Sequence, residues 1–230
     1  MAGIPGMKRY LDFVLSPIYD EFLAPEHRDD LRKSGLATET IRLQKIRSVP
    51  PDMIDTLLGF PAPKVTSAYL MPFPDPRGGW LDHVRMKAFP AIVTDGGTTK
   101  YLQPKRSGVR IYFPLATLDR VLHSADPLHV VEGEKKSLAV AQLGLPTIGI
   151  CGIEGWHVAG SRQLHPDLDD VGIRGRVVNV IPDADARTNP AVNAAVRHLG
   201  DALSARGAIA RLVLVPEGYK GIDDYLVARS

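Results

Sequence analysis

The chain has 230 residues, is 44% hydrophobic and carries 28 Lys/Arg against 26 Asp/Glu, enough apolar material for a well-buried core in one or two domains and a charge balance that does not by itself announce a nucleic-acid binder. One cysteine, Cys151, excludes an internal disulfide and a cysteine zinc site, and the seven histidines show no metal-ligand spacing, so no zinc is expected. No stretch approaches the roughly 20 apolar residues of a membrane span and none reads as a signal peptide, so a cytoplasmic protein without a membrane partner is expected.

Residues 1 to about 60 carry apolar positions at helical spacing, in "YLDFVLSPIYDEFL" and in "DDLRKSGLATETIRLQKI", with Ser34-Gly35 as a break between short helices. From 61 to about 125 the texture changes to short β-type pieces cut by turns: "SAYLMPF", "DPRGG", "WLDHVRMKAF", "TDGGTTK" and "RIYFPL". This middle segment holds nine Lys/Arg against four Asp. Alternation in Val84-Arg85-Met86-Lys87 and in Val109-Arg110-Ile111-Tyr112 predicts basic side chains on one face of each strand. Such a segment suits a polyanionic ligand as well as it suits a solvated surface.

From 126 onward strands and helices alternate. "LHVVEG" reads as a buried strand, "EKKSLAVAQLG" as a helix ended by Gly144, and "PTIGICG" and "RVVNVIP" as further strands. "NPAVNAAVRHLGDALSARG" is a helix with Asn189 at its N-cap, Pro190 in its first turn, Gly207 past its end and an apolar face of Val192, Val196, Leu199 and Leu203. "IARLVLVP" returns as a strand. Repeated β-α-β order with continuous apolar strands predicts an α/β fold with a mainly parallel sheet flanked by helices. Its ligand site belongs beyond the C-terminal strand ends. Cys151, Trp80 and Trp156 are expected to serve packing.

That rule gathers acids along one sheet edge. Glu132 and Glu134 follow "LHVV", Asp183 and Asp185 follow "VVNVI", and Asp223 and Asp224 come shortly after "RLVLV". Clustered carboxylates repel unless protons or cations neutralise them, and hard oxygen donors suit magnesium, with manganese as a substitute.

"VVEGEKKSLAVAQLG", "GICGIEGW" and "VVNVIPDADA" together resemble the signature of the Toprim fold of bacterial-type primases, topoisomerases and some nucleases. The resemblance implies that Glu132, Asp183 and Asp185 hold magnesium, that Gly152 lies in the glycine-containing loop after the second strand, and that the "GYKGIDDYL" ending brings in Lys220, Asp223 and Asp224 as holders of a further ion or as an anchor for the lysine. Upstream, "MPFPDPRGGWLDHVRMKAF" and "TKYLQPKRSGVRIYFPL" are similar to the small basic subdomain that precedes Toprim in such primases. The matching positions Arg85, Lys87, Lys100, Tyr101 and Lys105 are thereby implied to line the groove for template and nucleotide. "LRKSGL", "EGEKK" and "DDYL" also resemble an uncharacterised Toprim-like family of phage and plasmid replication proteins, so that the similarity spans residues 27–230.

The resemblance implies three parts: a helical N-terminal segment (1–60), a basic β-rich primase-like subdomain (61–125) and a Toprim domain (126–230). It implies a DNA primase core making short primers on single-stranded DNA from nucleoside triphosphates, with a helicase on the same longer chain or a separate one. Lys135 and Lys136 would contact phosphates at a helix start or lie on a solvated helix face, and Arg110, Tyr101 and Tyr112 would help grip the template. The alternatives are a Toprim nuclease and a non-catalytic nucleic-acid-binding module. Three departures stand out: no cysteine-rich zinc domain, no GxxxxGK[ST] loop, and Pro182 before the first aspartate.

Overall fold

The computed structural model, which describes residues 22–94 and 97–230, divides its strands between two four-stranded sheets. β1 (Arg47–Val49), β2 (Ser67–Pro74), β3 (Trp80–Thr94) and β4 (Gly97–Leu102) form an antiparallel sheet in the order β1-β2-β3-β4. β5 (Leu128–Glu132), β6 (Thr147–Ile150), β7 (Val177–Ile181) and β8 (Ile209–Leu212) form a parallel sheet in the order β6-β5-β7-β8. Around them lie α1 (Pro25–Lys33), α2 (Thr38–Leu43), α3 (Ile54–Leu58), α4 (Leu118–His123), α5 (Glu134–Ala141), α6 (Pro190–Ala205) and α7 (Ile222–Val227). The α/β architecture is the expected one.

The parallel strands are apolar on both sides because both faces are covered. Leu128, Val130, Val178 and Val180 meet Leu199 and Leu203 of α6, whereas Val131 and Ile181 meet Val140 of α5. α6 is punctuated as the sequence predicts: the Asn189 side chain accepts from the Ala191 and Val192 amides, and Gly207 takes φ 85. The antiparallel sheet is also covered twice. Val84 and Met86 pack on Leu57 and Leu58, and Tyr69, Met71 and Phe73 face Leu138 of α5 together with Leu31 and Ile41 of α1 and α2.

Two elements differ from expectation. Residues 47–49 form an edge strand on β2 rather than continuing a helical segment. "RIYFPL" is not a strand, so Arg110 is not placed by strand alternation. Ile111, Tyr112 and Phe113 are all fully buried, which suits a segment crossing the interior better than a half-solvated strand. The helical pattern expected in "YLDFVLSPIYDEFL" lies almost wholly outside the described residues, as does part of the "TDGGTTK" turn.

The crossing segment is fixed at one point. Tyr112 and Gly149 exchange both backbone hydrogen bonds, at 2.9 and 2.8 Å. A Cβ on Gly149 would lie 2.7 Å from Ser137 Oγ and 3.2 Å from Tyr112 Cβ, so only glycine allows β6, α5 and the crossing segment to close together. At the opposite end Arg176, 4% exposed, donates to the carbonyls of Asp126 (2.6 Å), Val121 (2.7 Å) and Arg120 (3.1 Å), joining the start of β7 to the end of α4. Gly149→Ala is expected to cost about 1–3 kcal/mol through overpacking. Urea denaturation checks this, and a change below about 0.5 kcal/mol, the size of an ordinary surface substitution, would show that the junction is loose.

Candidate active site

β5 and β7 are neighbours, with Val131 opposite Ile181, so their C-terminal exits lie side by side. Glu132 closes β5. Pro182, buried and without an N–H, ends the β7 ladder, and the chain turns so that the Asp183 amide donates to Glu132 Oε2 at 3.3 Å. Asp183 then opens a short 3-10 turn, Ala184–Arg187, that carries Asp185 with its side chain exposed. The Asp185 carbonyl accepts from the Asn189 amide at 2.7 Å, tying that turn to the start of α6. Burial raises the carboxyl pKa of Glu132, and the charge of Asp183 adds to it. Burial likewise raises Asp183; Lys136 pulls it back down while Asp185 and Asp223 push it further up. These four acids therefore share one field. Asp223 is buried, whereas Asp224 is exposed and its carboxylate accepts from the Gly221 amide at 3.2 Å, which caps α7. The Lys220 side chain is exposed, and its carbonyl accepts from the Ala184 amide at 2.9 Å.

The first turn of α5 follows Gly133, whose φ of 94 lets the chain reverse directly from strand to helix. Its three charged residues each find a different partner. Glu134 accepts from Arg85 of β3 at 2.8 Å and from the Cys151 thiol at 2.9 Å. Lys135 pairs with Asp30 of α1 at 3.0 Å. Lys136 pairs with Asp183. Asp30 also accepts from Lys87 and from the Tyr69 hydroxyl, the latter at 2.8 Å.

Several expected roles change with this geometry. Lys135 and Lys136 neither lie on a solvated face nor stand free for phosphate; both are ion-paired inside the protein. Arg85 and Lys87 share one face of β3, as alternation predicts, but that face turns toward α1 and α5, where each has its own carboxylate. Tyr101 lies half-buried beneath them, its ring centre 5.0 Å from the Arg85 guanidinium and 5.7 Å from the Lys87 ammonium. Tyr112 is fully buried edge-on to Phe73 at 4.9 Å, so it is not placed to stack on a base. Cys151 is a polar partner of Arg85 and Glu134 rather than an inert filler. Trp156 serves packing, at 1% exposure. Asp30, which the sequence does not single out, completes the network, whereas Glu134, expected among the acids of the sheet edge, turns to Arg85 and Cys151 instead.

A separate cavity of about 1050 Å³ is walled by the start of β3, the loop 103–110 and the segment 154–167. Lys105 and Arg106 stand exposed on its wall, and Arg110 lines it while pairing with Asp167 at 2.9 Å. His83 is also there, buried, with neither ring nitrogen hydrogen-bonded; burial first, then the charges of Arg110 and Arg85, hold its pKa at about 3. Glu132, Asp183 and Asp185 are not among the lining residues, nor is Lys100, which is exposed on β4.

Among the described residues no three His, Cys, Asp or Glu side chains are already gathered as a metal shell. The donor set nevertheless fits a hard cation in kind: all-oxygen, anionic, partly desolvated, and already drawing an ammonium to Asp183. Among the described residues no helix is long and apolar enough to cross a membrane.

A parallel sheet flanked by helices and preceded by an antiparallel sheet is a fold this chain shares with bacterial primase catalytic cores. The primase of Aquifex aeolicus (zinc-binding and RNA polymerase domains) superposes with TM-score 0.63 at 18% identity, over 97% of this chain and 57% of that one. A DnaG primase catalytic domain bound to ssDNA superposes with TM-score 0.58 at 19% identity, over 98% of this chain and 76% of that one. The primase fragment of the bacteriophage T7 primase-helicase gives TM-score 0.53 at 14% identity, over 86% of this chain and 68% of that one. This chain thus spans little more than half of the Aquifex protein. Residues 119–230 match a family model described as Domain of unknown function (DUF3854). A comparison with curated proteins gives no match.

The Asp30 network sets a pH dependence. Burial would raise its carboxyl pKa, but Lys87, Lys135 and Tyr69 together hold it at about 2. A folded pKa below the unfolded one of about 4 means stability fully present above that value and lost as pH falls toward 2, worth roughly 2 kcal/mol at neutral pH. Asp30→Asn is expected to lower stability at pH 7 and to converge on wild type near pH 2. Urea midpoints measured across this range check it, and a gap that stays constant with pH would contradict it.

Proposed function

We propose that this chain is a Toprim-type DNA primase core, a metal-dependent nucleotidyltransferase acting on single-stranded DNA. The observation that carries the reading is the pairing of Glu132 and Asp183 at adjacent parallel strand exits, on a fold otherwise seen in primase catalytic domains. Magnesium, or manganese in its place, would be held by Glu132, Asp183 and Asp185, with Asp223 adding negative charge; when bound it supplies neutralisation of a nucleotide's phosphates.

The chain's own residues do the rest. Glu132 ends β5 and Asp183 follows β7 by two residues, and the Asp183 amide bonds Glu132, so their spacing is set by the sheet and that contact and costs no rearrangement at the moment of reaction. Lys105 and Arg106, exposed on the cavity wall, face the backbone of a single strand as phosphate contacts, with Lys100 and Lys220 as further exposed cations. Arg85 fixes β3 against α5, and Lys87 fixes it against α1. Asp224 caps α7 and is left out of the metal set.

A replicative helicase, on the same longer chain or separate, is the partner we propose, in keeping with the T7 neighbour, itself a primase-helicase fragment. "EGEKK" and "DDYL" support a setting in phage, plasmid or mobile-element replication, in the cytoplasm of the host cell.

The test is primer synthesis from labelled nucleotides on single-stranded DNA, with magnesium or manganese. Asp183→Asn/Asp185→Asn is expected to reduce product by about two orders of magnitude or more while leaving the fold intact. Undiminished synthesis by this variant would refute the assignment, and template shortening without new product would move it to a nuclease. Lys105→Ala/Arg106→Ala is expected to weaken single-strand binding and to flatten its logarithmic salt dependence by about one to two. An unchanged salt slope would remove both residues from the template path.

A further inference from the structure

We propose that Lys136 is a built-in competitor of the divalent cation: its ammonium holds Asp183, and a metal ion reaches that carboxylate only by exchanging with it. The proposal rests on the metal reading above and deepens it.

Two observations carry it. The first is the ion pair itself, with Lys136 21% and Asp183 18% exposed at their side chains, so that solvent screens the contact only in part. The second is the path of the lysine. A Cβ built on Gly221 would lie 2.9 Å from Lys136 Cε and 3.2 Å from its Cδ. Gly221 has ordinary extended backbone, φ −137, so its conformation does not demand glycine. What a side chain there would meet is the lysine arm, together with Asp223 Oδ1 at 2.8 Å from the same point, and either would have to move aside. The lysine arm thus runs close over Gly221 on its way to Asp183.

Its neighbour does not share this role. Successive helix residues point about 100° apart, and Lys135 goes to Asp30 instead. An ammonium is a compact point charge, and a divalent ion on the same aspartate would sit against it as a like charge. The two therefore exclude one another, and the displaced ammonium is released for the phosphates that the metal recruits.

Binding of Mn²⁺ alone, followed by the loss of the free-ion EPR signal at low ionic strength, tests the exchange. Lys136→Met is expected to bind Mn²⁺ about ten-fold more tightly than wild type, and Asp183→Asn/Asp185→Asn to bind it poorly. In wild type, Mn²⁺ is expected to increase acylation of Lys136 by an amine-reactive reagent, read by mass spectrometry, while Lys135 stays constant. Because this second measurement uses the unaltered protein, it decides the matter even where Lys136→Met fails to fold. Affinity that is unchanged or weaker in Lys136→Met, with binding still dependent on the two aspartates, overturns the competition and leaves the metal reading standing. No Mn²⁺ binding by any form, Lys136→Met included, overturns both. Acylation of Lys136 that ignores Mn²⁺ overturns the competition alone.

Discussion

Charge buried at the joint between the two sheets has to be paired, and that requirement organises the rest of the molecule. Glu134 is 4% exposed at its side chain and Asp30 16%; an unpaired carboxylate at either place would cost several kcal/mol. Each is met from β3, by Arg85 and Lys87, and Asp30 is met again from α5 by Lys135. The apolar contacts of Tyr69, Phe73 and Leu138 bring the sheets together, but they are non-directional. The ion pairs fix which strand face meets which helix turn, and with that the distance from the basic sheet to the carboxylates.

The parallel half was legible in the sequence because its signals are local and redundant. Strands buried on both faces read as unbroken apolar runs, Asn189 and Gly207 mark the ends of α6, and Glu132 and Asp183 fall at strand exits wherever the boundaries are drawn within a residue or two. The antiparallel half was legible in texture only. Arg47–Val49 is three residues long, too short for alternation to show, and its strand character comes from pairing with β2. Residues 110–115 look like a strand because tyrosine, isoleucine and phenylalanine favour one, yet they cross the interior and pair with the β6 backbone at a single residue, Gly149.

Partners were the least legible part of the site. Alternation in β3 correctly put Arg85 and Lys87 on one face, but nothing local to residues 84–87 says what stands opposite that face. Asp30 answers Lys87 from another helix, and Glu134 answers Arg85 from another domain-sized segment of chain. The positive surplus of residues 61–125 is for this reason not all available to a ligand. Part of it is spent inside the fold, and what faces outward is Lys64, Arg77 and Arg120 together with Lys100, Lys105 and Arg106 on β4 and the loop after it. Charge counts by segment overstate a binding surface whenever the segment also forms a charged joint.

Arg176 gives the molecule a front and a back that answer differently to their surroundings. Its guanidinium is satisfied by three main-chain carbonyls, none of which titrates, and arginine itself stays protonated throughout the accessible range. The rear of the parallel sheet is thus fastened by a clasp blind to acidity, while at the front the Asp30 carboxylate is one that strong acid can discharge. The two ends of the molecule are fastened by chemically different means, one through main-chain carbonyls and one through side-chain carboxylates.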